Sequence, residues 1–389
     1  MRRYEDTILK VLFHCSEYPP GSAGVGNYMR NMAQALVSSG HQATVISCRT
    51  GNLPYELMEN GVRVLRMYDF SEKGSDRVRD MAISVAKDVH ADVIEGADHL
   101  GDCAPILRIK HDIPVMVKVH ACQVVKVLQD AMAYYPWQHL TMAIARLRAY
   151  DQMRNEKCSI INADVMVSPT KRLMDELLKQ GLRLPVKRGI VPNPITVTKA
   201  HASEEAPVPT ILFVGRLEFL KGIQFLAGLM EAVLKESPDA VLEIAGADSY
   251  ARWVGSMRDW LTERFGDKIK NVRFLGRLDE DQLSSAYARA WVVVHPSLWD
   301  NFPTIVLEAM AHGKPIVSTP HGGMIEMLEG TECPIMDPSQ GSFSEAVVSL
   351  LKDKSLRTRI GGLAKARVIK EYSPEAIVPK YMRFVEKVL

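Results

Sequence analysis

Short runs of consecutive apolar, mostly β-branched residues recur along the chain. Between them lie longer stretches in which apolar positions return every third or fourth residue. In the first half the runs are ILKVLFH (8–14), ATVIS (43–47), ADVIE (91–95), PVMVKVH (114–120) and ADVMVS (163–168). A strand with one wet face alternates apolar and polar residues. These runs do not, so both faces are expected to be covered, as in a parallel sheet flanked by helices. NYMRNMAQALVSSG (27–40) has the helical spacing, with Gly40 where the helix should stop. Residues 1–195 are therefore expected to form a doubly wound α/β domain.

Near residue 190 the pattern gives way to VPNPITVTKAHASEEAPVPT (191–210), rich in proline and short polar residues, which predicts a linker. A second series of the same kind follows: TILFVG (210–215), AVLEIAG (240–246), NVRFLG (271–276), WVVVHPS (291–297) and PIVST (315–319). A second α/β domain is expected over 196–372, with a cleft between the two. The final stretch, 373–389, predicts a helix opened by Ser373 and Pro374 with Pro379 inside it.

Composition agrees with this division, since 389 residues exceed what one hydrophobic core usually covers. With 47% hydrophobic residues, 24% charged residues and a formal net charge of +2, no bulk affinity for nucleic acid is expected. Residues 1–190 hold 25 basic against 21 acidic side chains and the remainder 23 against 25, too slight an asymmetry to define a charged partner. The six cysteines (15, 48, 103, 122, 158, 333) form no C-x-x-C pair, which argues against a zinc knuckle or a disulfide framework and for reduced thiols. No run of about 18 apolar residues predicts a membrane span. Glu5 and Asp6 interrupt the basic N-terminus before an apolar run too short for a signal peptide. The expected location is the cytoplasm.

In open parallel sheets ligands bind beyond the carboxyl ends of the strands, so chemistry is sought there. After the first run, Gly21, Gly24 and Gly26 lead toward a helix whose amides suit an anion. Their G-x-x-G-x-G order differs from the dinucleotide fingerprint. The second run also ends in VISCRT, without the acid that would hold an NAD ribose. After TILFVG, Arg216 and Lys221 place two cations at a strand end, ahead of a helix expected from about Gly222. A guanidinium fork and a point charge together suit a diphosphate. After WVVVHPS, Asp300 precedes a short helix with Pro303 in its first turn and Gly313 beyond its end. Thr304, Glu308 and His312 share one face of that helix, a polar stripe open to solvent or to a ligand, while the other faces are apolar. Two carboxylates at one strand end suit the hydroxyls of a polyol. His120 ends PVMVKVH. The acidic DED at 279–281 reads as a helix start capped by Asp279 rather than a metal site.

In order along the chain, GSAGVGNY, a histidine after a strand, VGRLEFLKG, FLG and PSLWDNFPTIVLEAMAHGKPIVST, followed by a GG pair and Glu326, resemble the group 1 glycosyltransferases, retaining enzymes of GT-B fold and family 4. The resemblance runs from about residue 8 to the end and is most specific in the C-terminal part. It implies two Rossmann-like domains with the last helix returning to the first. By position, it implies that Arg216 and Lys221 bind a donor diphosphate, with Gly215 beside them, and that Glu308 holds the nucleotide ribose. Asp300 would meet the sugar hydroxyls together with the amides of Asn301 and Phe302 and the neighbouring Pro303 and Thr304. Arg277, after FLG, would meet the base, Gly24 and Gly26 the phosphates, and His120 the transferred sugar. No metal or other cofactor is implied, because cationic side chains and helix dipoles neutralise the leaving group. The pattern departs from the family in two places. Asp300 and Asn301 stand where Glu and Gly are usual, and Pro194 stands where Gly is common.

The resemblance implies transfer of a sugar from a UDP- or GDP-linked donor to an acceptor hydroxyl with retention at the anomeric carbon. A phosphorylase or nucleotide-sugar enzyme on the same fold, and a non-catalytic nucleotide-sugar binder, are the alternatives. The acceptor is not legible. AYYPWQHLTMAIARLRAY (133–150) combines aromatics with Arg146 and Arg148. It is expected as a core-packed helix, with a lipid-linked acceptor and a peripheral membrane contact as the second expectation.

Overall fold

The structure is a computed structural model, and it describes residues 8–20, 24–49, 51–120, 150–197, 205–251 and 254–389. The chain forms two units. One takes in the described residues up to Thr196 together with Tyr372–Leu389, and the other the described residues of Val197–Glu371.

The first unit is built on an eight-stranded sheet in the order β3-β4-β2-β1-β5-β6-β7-β8. Its strands are β1 (Lys10–His14), β2 (Gln42–Cys48), β3 (Glu56–Glu59), β4 (Val62–Tyr68), β5 (Val93–Ala97), β6 (Val115–Lys118), β7 (Val165–Ser168) and β8 (Arg188–Ile190). All pairs are parallel except β3 with β4. The unbroken apolar runs have the expected cause. Val11 and Phe13 of β1 enter the core that contains Tyr28, Met29 and Met32 of helix Gly24–Ser38, while Leu12 between them enters the core with Val78, Ala82 and Val85 of helix Asp76–Asp88. Helix Pro374–Val385 adds Ile377, Val378, Tyr381 and Val385 to the first of these cores. Ser373 precedes that helix, Pro374 opens it and Pro379 lies within it. The β3–β4 hairpin was not expected from the pattern. Its turn is Asn60-Gly61, both with positive φ, a pair that favours the tight hairpin twist.

The second unit has a five-stranded parallel sheet in the order β13-β10-β9-β14-β15. These strands are β9 (Thr210–Val214), β10 (Val241–Ala245), β13 (Val272–Gly276), β14 (Val292–His295) and β15 (Ile316–Ser318), and the short β11 (Tyr250–Ala251) and β12 (Gly255–Ser256) pair separately. From β9 the chain winds to one side through β10 and β13, then returns to the other side with β14 and β15. The strand order therefore reverses between β9 and β14, the topological switch point at which open α/β sheets bind ligands. Asp279 caps helix Glu280–Arg289, its carboxylate accepting from Gln282 N while the Gln282 side chain accepts from Asp279 N. Residues 133–149 of the aromatic segment lie outside the described residues, as does Gly21.

Candidate active site

Arg216 and Lys221 follow β9, and Asp300 follows β14, so the two strands flanking the switch point deliver both cations and the first acid. The expected helix from Gly222 is replaced by two 3-10 turns, Phe219–Lys221 and Ile223–Phe225, before the α-helix begins at Leu226. Gly222 lies between those turns at φ 78°, and a Cβ there would fall 1.9 Å from the Pro296 carbonyl oxygen. Glycine thus lets the loop after β9 press on the loop after β14. Leu298 N and Ser297 Oγ complete the join, donating to the Leu220 carbonyl at 2.9 and 3.0 Å.

The contact sets Lys221 Nζ 2.5 Å from Asp300 Oδ2, an ion pair with side chains 24% and 17% exposed. Arg216 is paired with Glu218 at 2.8 Å and is more open, 58% exposed. Asp300 is held from the other side as well. Its carbonyl accepts from Gly323 N at 2.9 Å, and a Cβ on Gly322, at φ 65°, would fall 1.8 Å from that carbonyl oxygen. Asn301 takes the Trp299 indole N–H on its Oδ1 at 2.8 Å, and Phe302 is buried.

Pro303 is the N-cap residue of helix Thr304–Ala311, one position before the first turn in which the sequence placed it, and it offers no side-chain cap. Val306, Leu307, Ala309 and Met310 are buried, which accounts for the apolar character of the segment. The polar stripe does not face open solvent. Glu308 Oε2 accepts from the Tyr287 hydroxyl at 2.9 Å, a hydroxyl that also lies 3.1 Å from the Ile305 carbonyl oxygen. The Tyr287 ring stacks on His312 with centroids 5.1 Å apart, and His312 Nε2 lies 3.0 Å from Ser284 Oγ. Burial first, then Glu308, pushes the Tyr287 phenol well above its ordinary range, so it stays a proton donor. Thr304 is half-buried at the helix start. Arg277 is exposed just past β13, and Gly215 directly precedes Arg216.

In the first unit Gly24 and Gly26 lie inside the first turn of helix Gly24–Ser38 rather than in a loop before it. His120 lies two residues past the end of β6, with its backbone N–H donating to Asp98 Oδ1 at 2.7 Å. Tyr28 joins these two places. Its ring is 4.5 Å from that of His120, its hydroxyl donates to Glu95 Oε1 at 2.7 Å, and Lys118 Nζ stands 4.8 Å over its ring. Burial, then Lys118 and His99, holds the His120 imidazole well below the usual histidine range, so it is neutral. Burial brings the Lys118 ammonium down to about 7 against the pull of Glu95.

The structure therefore brings Lys221 and Asp300 into contact, places Arg216 and Asn301 on the same two loops at the carboxyl edge of the second sheet and Glu308 on the helix that follows, and leaves Gly24, Gly26 and His120 in the first unit. Sequence reasoning missed Tyr287 and His295. A tyrosine at helical spacing carries no separate signal until its partner is known, whereas His295 ends its strand run as His120 does and could have been singled out on the same ground. Among the described residues no group of three or more His, Cys, Asp or Glu is placed to hold a metal ion, and no helix is long and apolar enough to cross a membrane.

Residues 23–194 match the glycosyl transferase 4-like domain, and residues 208–353 match the model of glycosyl transferases group 1. An uncharacterised glycosyltransferase of Methanocaldococcus jannaschii is 28% identical over 94% of this chain and 95% of its own length. The glycogen synthase of Mycobacterium tuberculosis is 24% identical over 95% and 92%. Sucrose-phosphate synthase from Thermosynechococcus elongatus superposes with a TM-score of 0.79 at 19% identity, covering 98% of this chain and 99% of that one. Anabaena HepE, solved in complex with UDP-glucose, superposes with a TM-score of 0.71 at 15% identity, covering 97% and 100%. The switch-point loops with their two cations and two acids lie inside the group 1 match, and the two α/β units are those of the GT-B fold: the chain belongs to the family 4, group 1 glycosyltransferases.

Proposed function

We propose that the protein transfers a sugar from a nucleoside-diphosphate donor to an acceptor hydroxyl with retention of anomeric configuration and without a metal ion. The observation that carries this reading is the convergence of Lys221 and Asp300 from the two strands flanking the switch point, with Glu308 oriented by Tyr287 on the following helix. Arg216 and Lys221 would bind the diphosphate, Glu308 the ribose, and Asp300 with the Asn301 and Phe302 amides the sugar hydroxyls, with Pro303 and Thr304 completing the turn. Gly215 lets the backbone approach the phosphates, and exposed Arg277 meets the base. To the first unit we assign the acceptor and, on the family resemblance, His120 toward the sugar and Gly24 with Gly26 toward the phosphates.

Breaking the bond between the anomeric carbon and the diphosphate oxygen leaves positive charge on the sugar ring and negative charge on the phosphate. Arg216 and Lys221 stand where that negative charge grows, and loss of one such preorganised partner costs about 3 kcal/mol, or a hundredfold in rate. The acceptor oxygen bonds to the same carbon from the same face. Its proton passes to the departing phosphate oxygen, so no side chain has to act as base. A neutral His120 suits this step, because it can accept or donate a hydrogen bond beside the ring without opposing the charge forming there.

The test is thermal unfolding with UDP, GDP, ADP and their sugars. A ligand at about 100 times its dissociation constant adds roughly 2.7 kcal/mol of stability. One base series is expected to raise the unfolding temperature, and the matching sugar nucleotide to give a product of unchanged anomeric configuration in the presence of EDTA. If no nucleoside diphosphate stabilises the protein, the reading fails.

A further inference from the structure

Lys221 and Asp300 are each other's partner in this structure, yet a bound donor needs both for different purposes. The diphosphate needs the ammonium, and it would stand next to a carboxylate of its own sign. Asp300 is 17% exposed, so water alone cannot compensate it once the ammonium turns away. One further polar atom faces the same oxygen. His295, the last residue of β14, is 2% exposed, and its Nε2 lies 4.0 Å from Asp300 Oδ2 on the buried side. That nitrogen has no hydrogen-bond partner among the described residues. A displacement of about 1 Å would bring the pair to hydrogen-bonding distance.

We propose that His295 is a positioning residue for transfer: when a diphosphate takes Lys221, Asp300 passes from the ammonium to His295 Nε2–H, which turns the carboxylate away from the phosphates and sets it for the sugar hydroxyls. The resting ion pair is then a competitor of the donor, and His295 lowers the cost of opening it. The resting ring is neutral, held at about 4 by burial first and by Lys221, against the opposing effect of Asp300. Among the described residues these two are the charged groups that act on it, Lys221 from the loop after β9 and Asp300 from the loop after β14. From the adjacent strand β15, the Ser318 hydroxyl donates to the His295 carbonyl at 3.4 Å. A neutral ring with the proton on Nε2 has the donor that a released carboxylate requires. A buried polar nitrogen left without a partner costs stability in the resting protein, as groups reserved for a ligand do.

This inference rests on the reading of Arg216 and Lys221 as the diphosphate site, so the test begins with inorganic pyrophosphate, which needs neither base nor sugar. Pyrophosphate affinity is measured calorimetrically for the wild type, His295→Leu, His295→Gln, Asp300→Ala and the His295→Leu/Asp300→Ala double variant, alongside their unfolding temperatures. His295→Leu is expected to bind about tenfold more weakly, the size of one hydrogen bond to a charged group, while unfolding at or above the wild-type temperature. His295→Gln, whose amide restores a donor at the same reach, is expected to bind within about twofold of wild type. Asp300→Ala, having no competitor for Lys221, is expected to bind at least as tightly as wild type, and adding His295→Leu to it is expected to change nothing further. In wild-type protein with nitrogen-15 histidine, the His295 Nε2 resonance is expected to move on adding pyrophosphate, and this measurement stands even if the leucine variant fails to fold. An unmoved resonance with pyrophosphate bound, or a loss in His295→Leu that persists without Asp300, would overturn the proposal. If wild-type protein bound neither pyrophosphate nor any nucleoside diphosphate, the diphosphate site itself would fall, an outcome distinct from the failure of His295 alone.

Discussion

Tyr287→Phe removes one oxygen atom and nothing else from the neighbourhood of Glu308. The ring is 1% exposed and stacks on His312, and both features survive the change. What is lost is the donor 2.9 Å from Glu308 Oε2. A hydrogen bond to an ionised acceptor contributes about 1.5–3 kcal/mol. Glu308 is half-buried, so water recovers part of this in the variant, and a loss of about 1–1.5 kcal/mol is expected. For a unit of this size that corresponds to an unfolding temperature lower by roughly 2–6 °C.

The functional consequence is more diagnostic than the stability. If Glu308 binds ribose, releasing its carboxylate from Tyr287 should weaken a nucleoside diphosphate about tenfold and leave inorganic pyrophosphate untouched, because pyrophosphate has no ribose. Isothermal titration of both ligands against wild type, Tyr287→Phe, Glu308→Gln and the double variant separates the cases. In the double variant the two losses should fall short of their sum, since Tyr287 acts through Glu308. Equal weakening of pyrophosphate and nucleoside diphosphate, or full additivity, would refute the argument that Tyr287 sets a ribose-binding acid.

Three further outcomes follow from the same geometry. Gly322→Ala should destabilise by about 1–3 kcal/mol and cost at least tenfold in donor affinity, because its Cβ would fall 1.8 Å from the Asp300 carbonyl oxygen. Gly330→Ala, also at positive φ but facing open space, should cost only about 1 kcal/mol and spare binding, as thermal melts and titration would show. Arg216→Ala should reduce turnover about a hundredfold in a donor-consumption assay with stability nearly unchanged, since Arg216 is 58% exposed, whereas Lys221→Ala should also lower the unfolding temperature by leaving Asp300 without its ion pair. Stability should fall on acidification from about pH 6.5 toward pH 4: His295 is depressed from 6.5 to about 4 in the folded state, so the unfolded chain binds the extra proton in that window. The share due to His295 is about 3 kcal/mol and should be missing from urea melts of His295→Leu, which keeps the further loss due to His14 and His120, both depressed in the same direction.

The central strands of both sheets were legible because their runs are apolar on both faces, as Leu12 between Val11 and Phe13 shows, whereas the short, half-exposed edge strand β8 was not expected. The β3–β4 hairpin escaped for the opposite reason. β3 is a short edge strand, ELME, whose positions alternate exposed and half-buried, and only Asn60-Gly61, an available turn signal, announced it. In the site, residues on the loops after strands could be found from position alone, so Arg216, Lys221 and Asp300 were accessible. Tyr287 was not, because its relevance lies in a partner 21 residues away, and His295, though it ends a strand run as His120 does, was passed over. The fine structure of the first turns also escaped. Gly222 looked like the start of a helix, but the close approach of Pro296 requires a left-handed residue there and delays the helix to Leu226.

Comparison of two aspartates explains why an apolar segment carries acids at all. Asp279 has only local duties: its carboxylate and Gln282 exchange hydrogen bonds three residues apart on an exposed helix start, and any helix could use it so. Asp300 has no such local role. Its helix is preceded by Pro303 without a side-chain cap, and its carboxylate is paired with an ammonium 79 residues away in sequence, brought there by a glycine that only the loop contact requires. A structural carboxylate could have been placed at the N-cap at less desolvation cost. An acid held by a distant lysine at a switch point, with a second acid on the following helix held by a buried phenol, costs free energy in the resting protein, and on the proposed reading that cost is offset when hydroxyls and phosphates arrive.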